Sequence, residues 1–343
     1  MIREIRQSLT LEYTLQTRTR SMVLAGLASA ALFSQAVLAT PASADSAVVS
    51  EQQQSSALRY WTPQRLAAAK DADAVAPTYH SSRAGSPADR PSRPYRQPAA
   101  FPEHGKKPAS YAALQATSPQ RWTGGGLIST TGGKVFFHNP KTNGDYACSG
   151  DAVNSGNKSV VATAGHCVVD PDGTAYQNWV FIPGYDHGNR PHGTFAATPL
   201  HWESQRIGDS DAAWDAAFVT VGQVNGTRLV DAVGGQGIGF DLAPAQYVYS
   251  FGYGGSAAEE NGQQMNWCAG TDTFAGGHAG GGVWGIDCVQ GGGSSGGPFL
   301  QGFTTANGSG IQIGSISIGV GNYEYHPYYG WEARAAYDAA QGS

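Results

Sequence analysis

From Trp122 onward the chain is a succession of short β-favouring runs separated by glycine, asparagine and aspartate. Residues 134–137, 159–163, 179–182, 217–221, 246–250 and 311–316 are rich in valine, isoleucine, phenylalanine, tyrosine and threonine. Such side chains pack well on a pleated surface, and the residues between them are those that turn a chain. Many short strands with turn signals between them predict an all-β sandwich or barrel. One stretch departs from this texture. Residues 331–340 are dominated by alanine, glutamate and arginine and are followed by Gly342, which predicts a short C-terminal helix. No repeat of 20–50 residues is apparent.

The first third reads differently. Arg3, Arg6, Arg18 and Arg20 precede an apolar run over 22–39 that ends in Thr40-Pro41-Ala42-Ser43-Ala44. A charged start, a hydrophobic segment and a small-x-small site predict a signal peptide over 1–44, cut after Ala44, and a secreted, extracellular protein. The run is short and rich in Ala, Gly and Ser, which argues against a membrane anchor, and no other stretch is apolar enough to span a bilayer. Residues 45–121 are rich in Ala, Pro, Ser, Gln and Arg and read as a pro-segment or linker, largely disordered, with one possible helical piece near 56–70.

Charge divides the chain at the same place. Residues 45–121 carry 10 Lys+Arg and 6 Asp+Glu, a balance of +4, whereas residues 122–343 carry 7 and 18, a balance of −11. The acidic part is a poor candidate for nucleic acid or anionic lipid. The opposite signs favour a pro-segment that docks on the folded part over a passive linker.

Four cysteines in an exported chain predict two disulfides with three possible pairings. The local pairings, Cys148 with Cys167 and Cys268 with Cys288, are expected. Each would stabilise by about 3 kcal/mol in the chain-entropy model. No Cys-x-x-Cys and no His-Glu-x-x-His occurs, so no metal site is expected.

The chemistry-bearing residues lie in three places. Gly293-Ser294-Ser295-Gly296-Gly297-Pro298 holds a serine among glycines, where the backbone can turn sharply and present its N–H groups. Thr163-Ala164-Gly165-His166-Cys167 follows a strand-like run, and Asp215 opens the apolar run 216–221. A serine hydroxyl needs a histidine to take its proton and donors to receive the oxyanion. The order His, Asp, Ser is one of the known chain orders of a hydrolytic triad. Ser294 competes with Ser295, but only Ser295 has Gly-Gly after it and a glycine two before. Asp209 and Asp211 compete with Asp215 but sit in a polar turn. The other histidines, including His138, His187, His192, His201, His278 and His326, show no ligand pattern and are expected to be mostly solvated.

These segments resemble the chymotrypsin/trypsin-like serine peptidases, and more narrowly their secreted bacterial branch, over residues 122–343. The resemblance implies two six-stranded antiparallel barrels, about 122–230 and 231–343, with the active site in the cleft between them. It makes Ser295 the nucleophile, His166 the general base and Asp215 its orienting partner, with the N–H groups of Gly293 and Ser295 as the oxyanion hole. Cys148-Ser149-Gly150 resembles the strand that is bridged to the cysteine after the histidine. Val289 and the run Ser317-Ile318-Gly319 are similar to positions that contact substrate. Val289 is not acidic, so a preference for Arg or Lys is not supported, and an apolar specificity ranks above a glutamate-directed one. Ser294 stands where trypsin-like members activated by cleavage carry an aspartate, so activation through a buried terminal amine is not expected. The partners implied are a protein or peptide substrate and an intramolecular inhibitory segment, with no cofactor and no membrane, in a monomer. A non-catalytic binding protein on the same fold, or an esterase or narrow cell-wall peptide hydrolase, are the competing readings.

Overall fold

A computed structural model describes residues 44–72, 93–102, 116–208, 211–276 and 282–343. All of the expected signal peptide except Ala44, and most of the expected linker over 86–108, lie outside the described residues. In chain order the elements are β1 (Ala44–Val48), α1 (Glu51–Tyr60), α2 (Pro63–Ala68), β2 (Lys70–Asp71), β3 (Tyr95–Gln97), β4 (Ala116–Arg121) and α3 (Ile128–Thr131). Then follow β5 (Gly132–Asn139), β6 (Gly144–Val153), β7 (Val160–Ala164), β8 (Gln177–Pro183), β9 (Phe195–Glu203), β10 (Ala216–Val221) and α4 (Leu229–Val233). The last are β11 (Gly237–Phe240), β12 (Tyr247–Gly252), β13 (Asn266–Thr271), β14 (Thr273–Gly276), β15 (Val283–Ile286), β16 (Pro298–Thr304), β17 (Ser309–Ser315), β18 (Ile318–Val320), β19 (Tyr323–Pro327) and α5 (Trp331–Gln341).

Each of the six β-favouring runs lies in a strand, give or take one residue at its ends, and the C-terminal helix spans one residue more than its pattern. Strands β5, β6, β7, β10, β9 and β8 pair in that order, and β8 closes back on β5. Closure leaves the barrel no free edge of its own. Its interior is filled by Val135, Phe137, Val161, Phe181, Phe195, Leu200 and Val219, all essentially inaccessible to solvent. At about 25 cal/mol per Å² of apolar surface, this packing is the main driving force for the half.

The second half holds its strands in a seven-stranded sheet and a four-stranded one. Strands β12, β13, β16 and β17 belong to one sheet, and β15 and β19 to another with β14 and β18. Among the described residues no ladder joins β17 to β19, and β17 pairs in parallel with β11, Gly237 opposite Ile311 and Ile238 opposite Gln312. The Cys268–Cys288 disulfide ties β13 to the segment after β15. The core here is Val248, Ile286, Phe299 and Ile316 around that bridge. Helix α5 packs Ala336 and Tyr337 against Phe218 of β10 and Phe240 of β11 and so joins the two halves.

Parts of the first third are woven into this frame. β4 lies just before the texture change at Trp122, yet it pairs with β13, and β3 pairs with β11. The helical piece near 56–70 is two helices, interrupted at Trp61-Thr62, where Thr62 caps α2 and Pro63 opens it. Ala57, Trp61 and Leu66 are buried against Phe136, Val180 and Ile182 of the barrel wall. No helix among the described residues is long and apolar enough to cross a membrane. Asn225 and Asn307, which match the glycosylation acceptor pattern, both occupy tight turns, the former with φ of 50°.

Candidate active site

β7 and β10 are antiparallel neighbours, with Ala164 opposite Ala216. The residues just past the one strand and just before the other therefore meet. His166 sits on a helical turn, Gly165–Cys167, and Asp215 immediately precedes β10. The Gly165 N–H donates to the Asp215 carbonyl at 3.0 Å. The His166 backbone N–H donates to Asp215 Oδ1 at 2.8 Å, and His166 Nδ1 lies 2.7 Å from Oδ2. Both side chains are fully buried. The Ser317 hydroxyl donates to the same Oδ2 at 2.7 Å. Burial pushes the Asp215 carboxyl up, but His166, Arg206 and the hydrogen bonds from His166 and Ser317 outweigh it and hold it below the usual carboxylate range.

Ser295 comes from the second half. Its turn needs glycine twice: Gly293 has φ of +90° and Gly296 has φ of +87°. A Cβ on Gly296 would run into Thr163 Oγ1 and the Ser149 carbonyl. The turn is stitched to both halves. The Ser149 N–H donates to the Ser295 carbonyl at 2.7 Å, and the Ser149 hydroxyl donates to the Gly293 carbonyl at 2.8 Å. The Gly296 N–H donates to the Ile316 carbonyl at 2.7 Å. Ser294 and Gly297 N–H groups also find backbone carbonyls, whereas those of Gly293 and Ser295 have no backbone acceptor among the described residues. His166 Nε2 makes no hydrogen bond among the described residues. Cys148 and Cys167 are bridged behind the histidine, so although they lie with His166 in a compact cluster, they offer no thiolate to a metal.

Of the competing residues, Asp211 caps the helical turn Ala212–Trp214 through the Ala213 N–H, and Asp209 lies outside the described residues. Among the residues expected to contact substrate, Ile318 is buried and Gly319 is exposed on β18, and a Cβ on Gly319 would lie 2.6 Å from Val289 Cγ2. The Ser317 hydroxyl bonds Asp215. Two of the histidines expected to be solvated are buried: His201, and His326, whose ring bonds the Pro327 carbonyl and Asp272.

Arg206 is the residue that sequence reasoning missed. It is fully buried, with Nη1 3.5 Å from Asp215 Oδ1. Nearby, Glu203 is also fully buried, and burial together with Glu332 pushes its carboxyl well up. Removing one member of a buried ion pair leaves the other uncompensated. Arg206→Met is expected to lower unfolding stability by about 3 kcal/mol, measured by denaturant titration in a Ser295→Ala background that prevents self-digestion. An unchanged midpoint would dismiss the pairing.

The N-terminal segment reaches the same place. β2 pairs in parallel with β6, Lys70 opposite Tyr146 and Asp71 opposite Ala147, next to Cys148 and Ser149. The Asp71 carboxylate lies against Gly255 and Gly293, so that a Cβ on Gly293 would be 2.9 Å from its Oδ1. Ala72 is buried in the core that contains the Cys148–Cys167 bridge. Lys134, whose Nζ donates to the Gly262 carbonyl at 2.7 Å, is pulled down to about 8 by burial and raised in part by Asp71.

No family model and no curated protein matches the chain. Solved structures do. The protease Anisep from Arthrobacter nicotinovorans superposes with a TM-score of 0.59 at 33% identity, over 66% of this chain and 100% of its own. The chain belongs to the chymotrypsin-like serine peptidases. A thermostable serine protease, AL20, from an extremophilic microorganism is similar to this peptidase at 36% identity and a TM-score of 0.58, over 63% of this chain and 99% of its own. A Glu endopeptidase solved with MPD shares the fold, at 14% identity and a TM-score of 0.52, over 67% of this chain and 98% of its own.

Proposed function

We propose that the protein is a secreted serine endopeptidase that cleaves peptide bonds through an acyl-enzyme formed on Ser295. The observation that carries this reading is the buried His166–Asp215 pair, held at two points, with the Sγ of the next residue, Cys167, 3.7 Å from the Ser295 carbonyl oxygen. Asp215 accepts from Nδ1, which leaves the Nε2 lone pair free to act as a base. The Ser295 hydroxyl attacks the peptide carbonyl while its proton passes to Nε2. The carbonyl oxygen becomes an oxyanion that the Gly293 and Ser295 N–H groups would receive. His166 then gives the proton to the departing amine, the C–N bond breaks, and water hydrolyses the ester by the same steps. The peptidase neighbours and the two disulfides support a peptide-cleaving, exported protein.

In this reading residues 45–121 are an inhibitory pro-segment. Its support is the parallel pairing of β2 with β6, which sets Asp71 opposite Ala147, two residues before Ser149, with the Asp71 carboxylate beside the Gly293 turn.

A fluorophosphonate probe tests the nucleophile. The expected result is a single adduct on Ser295, absent from a Ser295→Ala variant and located by peptide mass spectrometry. An adduct elsewhere, or none with intact folded protein freed of residues 45–121, would overturn the reading.

A further inference from the structure

Two peptide units of the nucleophile turn have to face one way, and the chain around them is nearly all glycine: Gly291-Gly292-Gly293-Ser294-Ser295. A planar trans peptide points its C=O and its N–H to opposite sides. The Gly293 N–H therefore faces a substrate only while the Gly292 carbonyl faces away. With glycine on both sides, that unit could turn over at little steric cost and present its carbonyl to the oxyanion. Ser294 carries no charge that could tie the turn to a terminal amine. The unit that ends in Ser295 is fixed locally, since the Ser294 carbonyl accepts the Gly297 N–H at 2.9 Å. The unit that ends in Gly293 is fixed from another loop: the Gly292 carbonyl accepts the Gly255 N–H at 2.6 Å.

Glu259 holds that second loop in place. It lies between β12 and β13 and is 1% exposed. Its Oε2 accepts the Gly291 N–H at 2.8 Å from the nucleophile loop and the Ser256 hydroxyl at 2.6 Å from its own. One oxygen thus pins both sides of the Gly255–Gly292 contact. Glycine makes room for it: a Cβ on Gly254 would run into the carboxylate, and one on Gly291 would lie 2.9 Å from Oε2. From the opposite side, the Ser149 hydroxyl holds the Gly293 carbonyl.

We propose that Glu259 is a positioning residue of the oxyanion hole: its carboxylate clasps Gly291 to the 254–259 loop and so keeps the Gly293 N–H aimed at the substrate carbonyl. The inference rests on Ser295 being the nucleophile. Glu259 touches no reacting atom and acts through Gly255 and Gly292. Because the clasp is internal, the hole is formed by folding alone and needs no new chain terminus. The Asp71 carboxylate lies against Gly255 and Gly293, so the N-terminal segment rests on this clasp while the Gly255–Gly292 bond stays made.

Wild type, Glu259→Ala, Glu259→Asp and Glu259→Gln test this, each expressed as the full chain and counted by fluorophosphonate labelling carried to completion. kcat and KM are read on a peptide substrate. An inhibition constant is read on a peptide aldehyde, whose hemiacetal oxygen on Ser295 occupies the hole. Glu259→Ala is expected to lower kcat per labelled site about 10²-fold, to leave KM within a few-fold, and to weaken the aldehyde by about as much as kcat falls. Glu259→Gln keeps an acceptor oxygen at the same reach and is expected to recover most of both. Glu259→Asp falls one methylene short and is expected to lie between. A residue that only stabilised the loop would lower the labelled fraction or the melting temperature and leave kcat per site and the aldehyde unchanged. That result in a folded Glu259→Ala protein overturns the proposal. Should Glu259→Ala not fold, wild-type kcat and aldehyde inhibition in Glu259→Asp overturn it equally. Wild type that takes no label on Ser295 overturns the nucleophile and this proposal with it, whereas labelled wild type with an indifferent Glu259 overturns this proposal alone.

Discussion

Asp215→Asn is expected to lower kcat by about 10⁴-fold while the protein stays folded. The carboxylate is used at both oxygens. Oδ1 accepts the His166 backbone N–H, and Oδ2 accepts from His166 Nδ1 and from the Ser317 hydroxyl. An asparagine has one acceptor oxygen and one donating NH₂. If its oxygen stays with the backbone N–H, its NH₂ points at Nδ1 and forces that nitrogen to accept. The proton then sits on Nε2, where it cannot take one from Ser295. If the amide turns the other way, the NH₂ meets the His166 N–H and the turn is disturbed. Burial makes either mismatch expensive, because no water is at hand to repair it. The measurement is kcat on an ester substrate, with active-site titration to count competent molecules and a thermal melt to verify folding. A loss below tenfold in a folded variant would remove Asp215 from its assigned role.

Much of this site was legible in the sequence, for a physical reason. Glycines that a nucleophile turn requires, a histidine just past a strand and an aspartate at the start of another are local patterns. Local patterns survive without knowledge of the fold. Gly293 and Gly296 do adopt left-handed backbone, and Ala164 does face Ala216, so the strand ends that carry His166 and Asp215 coincide. Other features depend on partners distant in the chain. Arg206 reads as a surface residue in a polar turn until the fold buries it against Asp215, nine residues on. Glu259 reads as one acid of a polar loop, and only the fold sets its carboxylate against Gly291. β4 contains Pro119 and mostly polar residues, so it shows no strand pattern, yet β13 offers it an edge. Residues 44–72 are equally unobtrusive. Their composition is poor in large apolar residues, and a few anchors seated in prepared hollows supply the burial instead.

The largest of those anchors gives the second prediction. Trp61→Ala in the full chain is expected to weaken docking of the N-terminal segment by about 4 kcal/mol, or ~10³-fold in the docking equilibrium. Trp61 is 2% exposed, packs on Phe136 at a ring separation of 5.4 Å, and donates from Nε1 to the Asn178 carbonyl at 2.6 Å. Its loss leaves a cavity and an unmade hydrogen bond, whereas the nearby Arg65–Asp145 pair at 2.7 Å is partly exposed and contributes less. Beyond Trp61, Lys70 and Asp71 pair with β6, and the Asp71 carboxylate lies at Gly293. The pairing is parallel, so the segment follows β6 in the same chain direction, with the Asp71 carboxylate beside Gly293. If this contact inhibits, the uncleaved Trp61→Ala chain hydrolyses a small ester from the first seconds, while the uncleaved wild type shows a lag. Asp71→Ala isolates the contact at the turn from the anchor. It is expected to shorten the lag less, since it removes one charge and no core packing. Equal initial rates in all three proteins, at equal titrated active sites and before any cleavage, would show that the segment is a folding element and not an inhibitor.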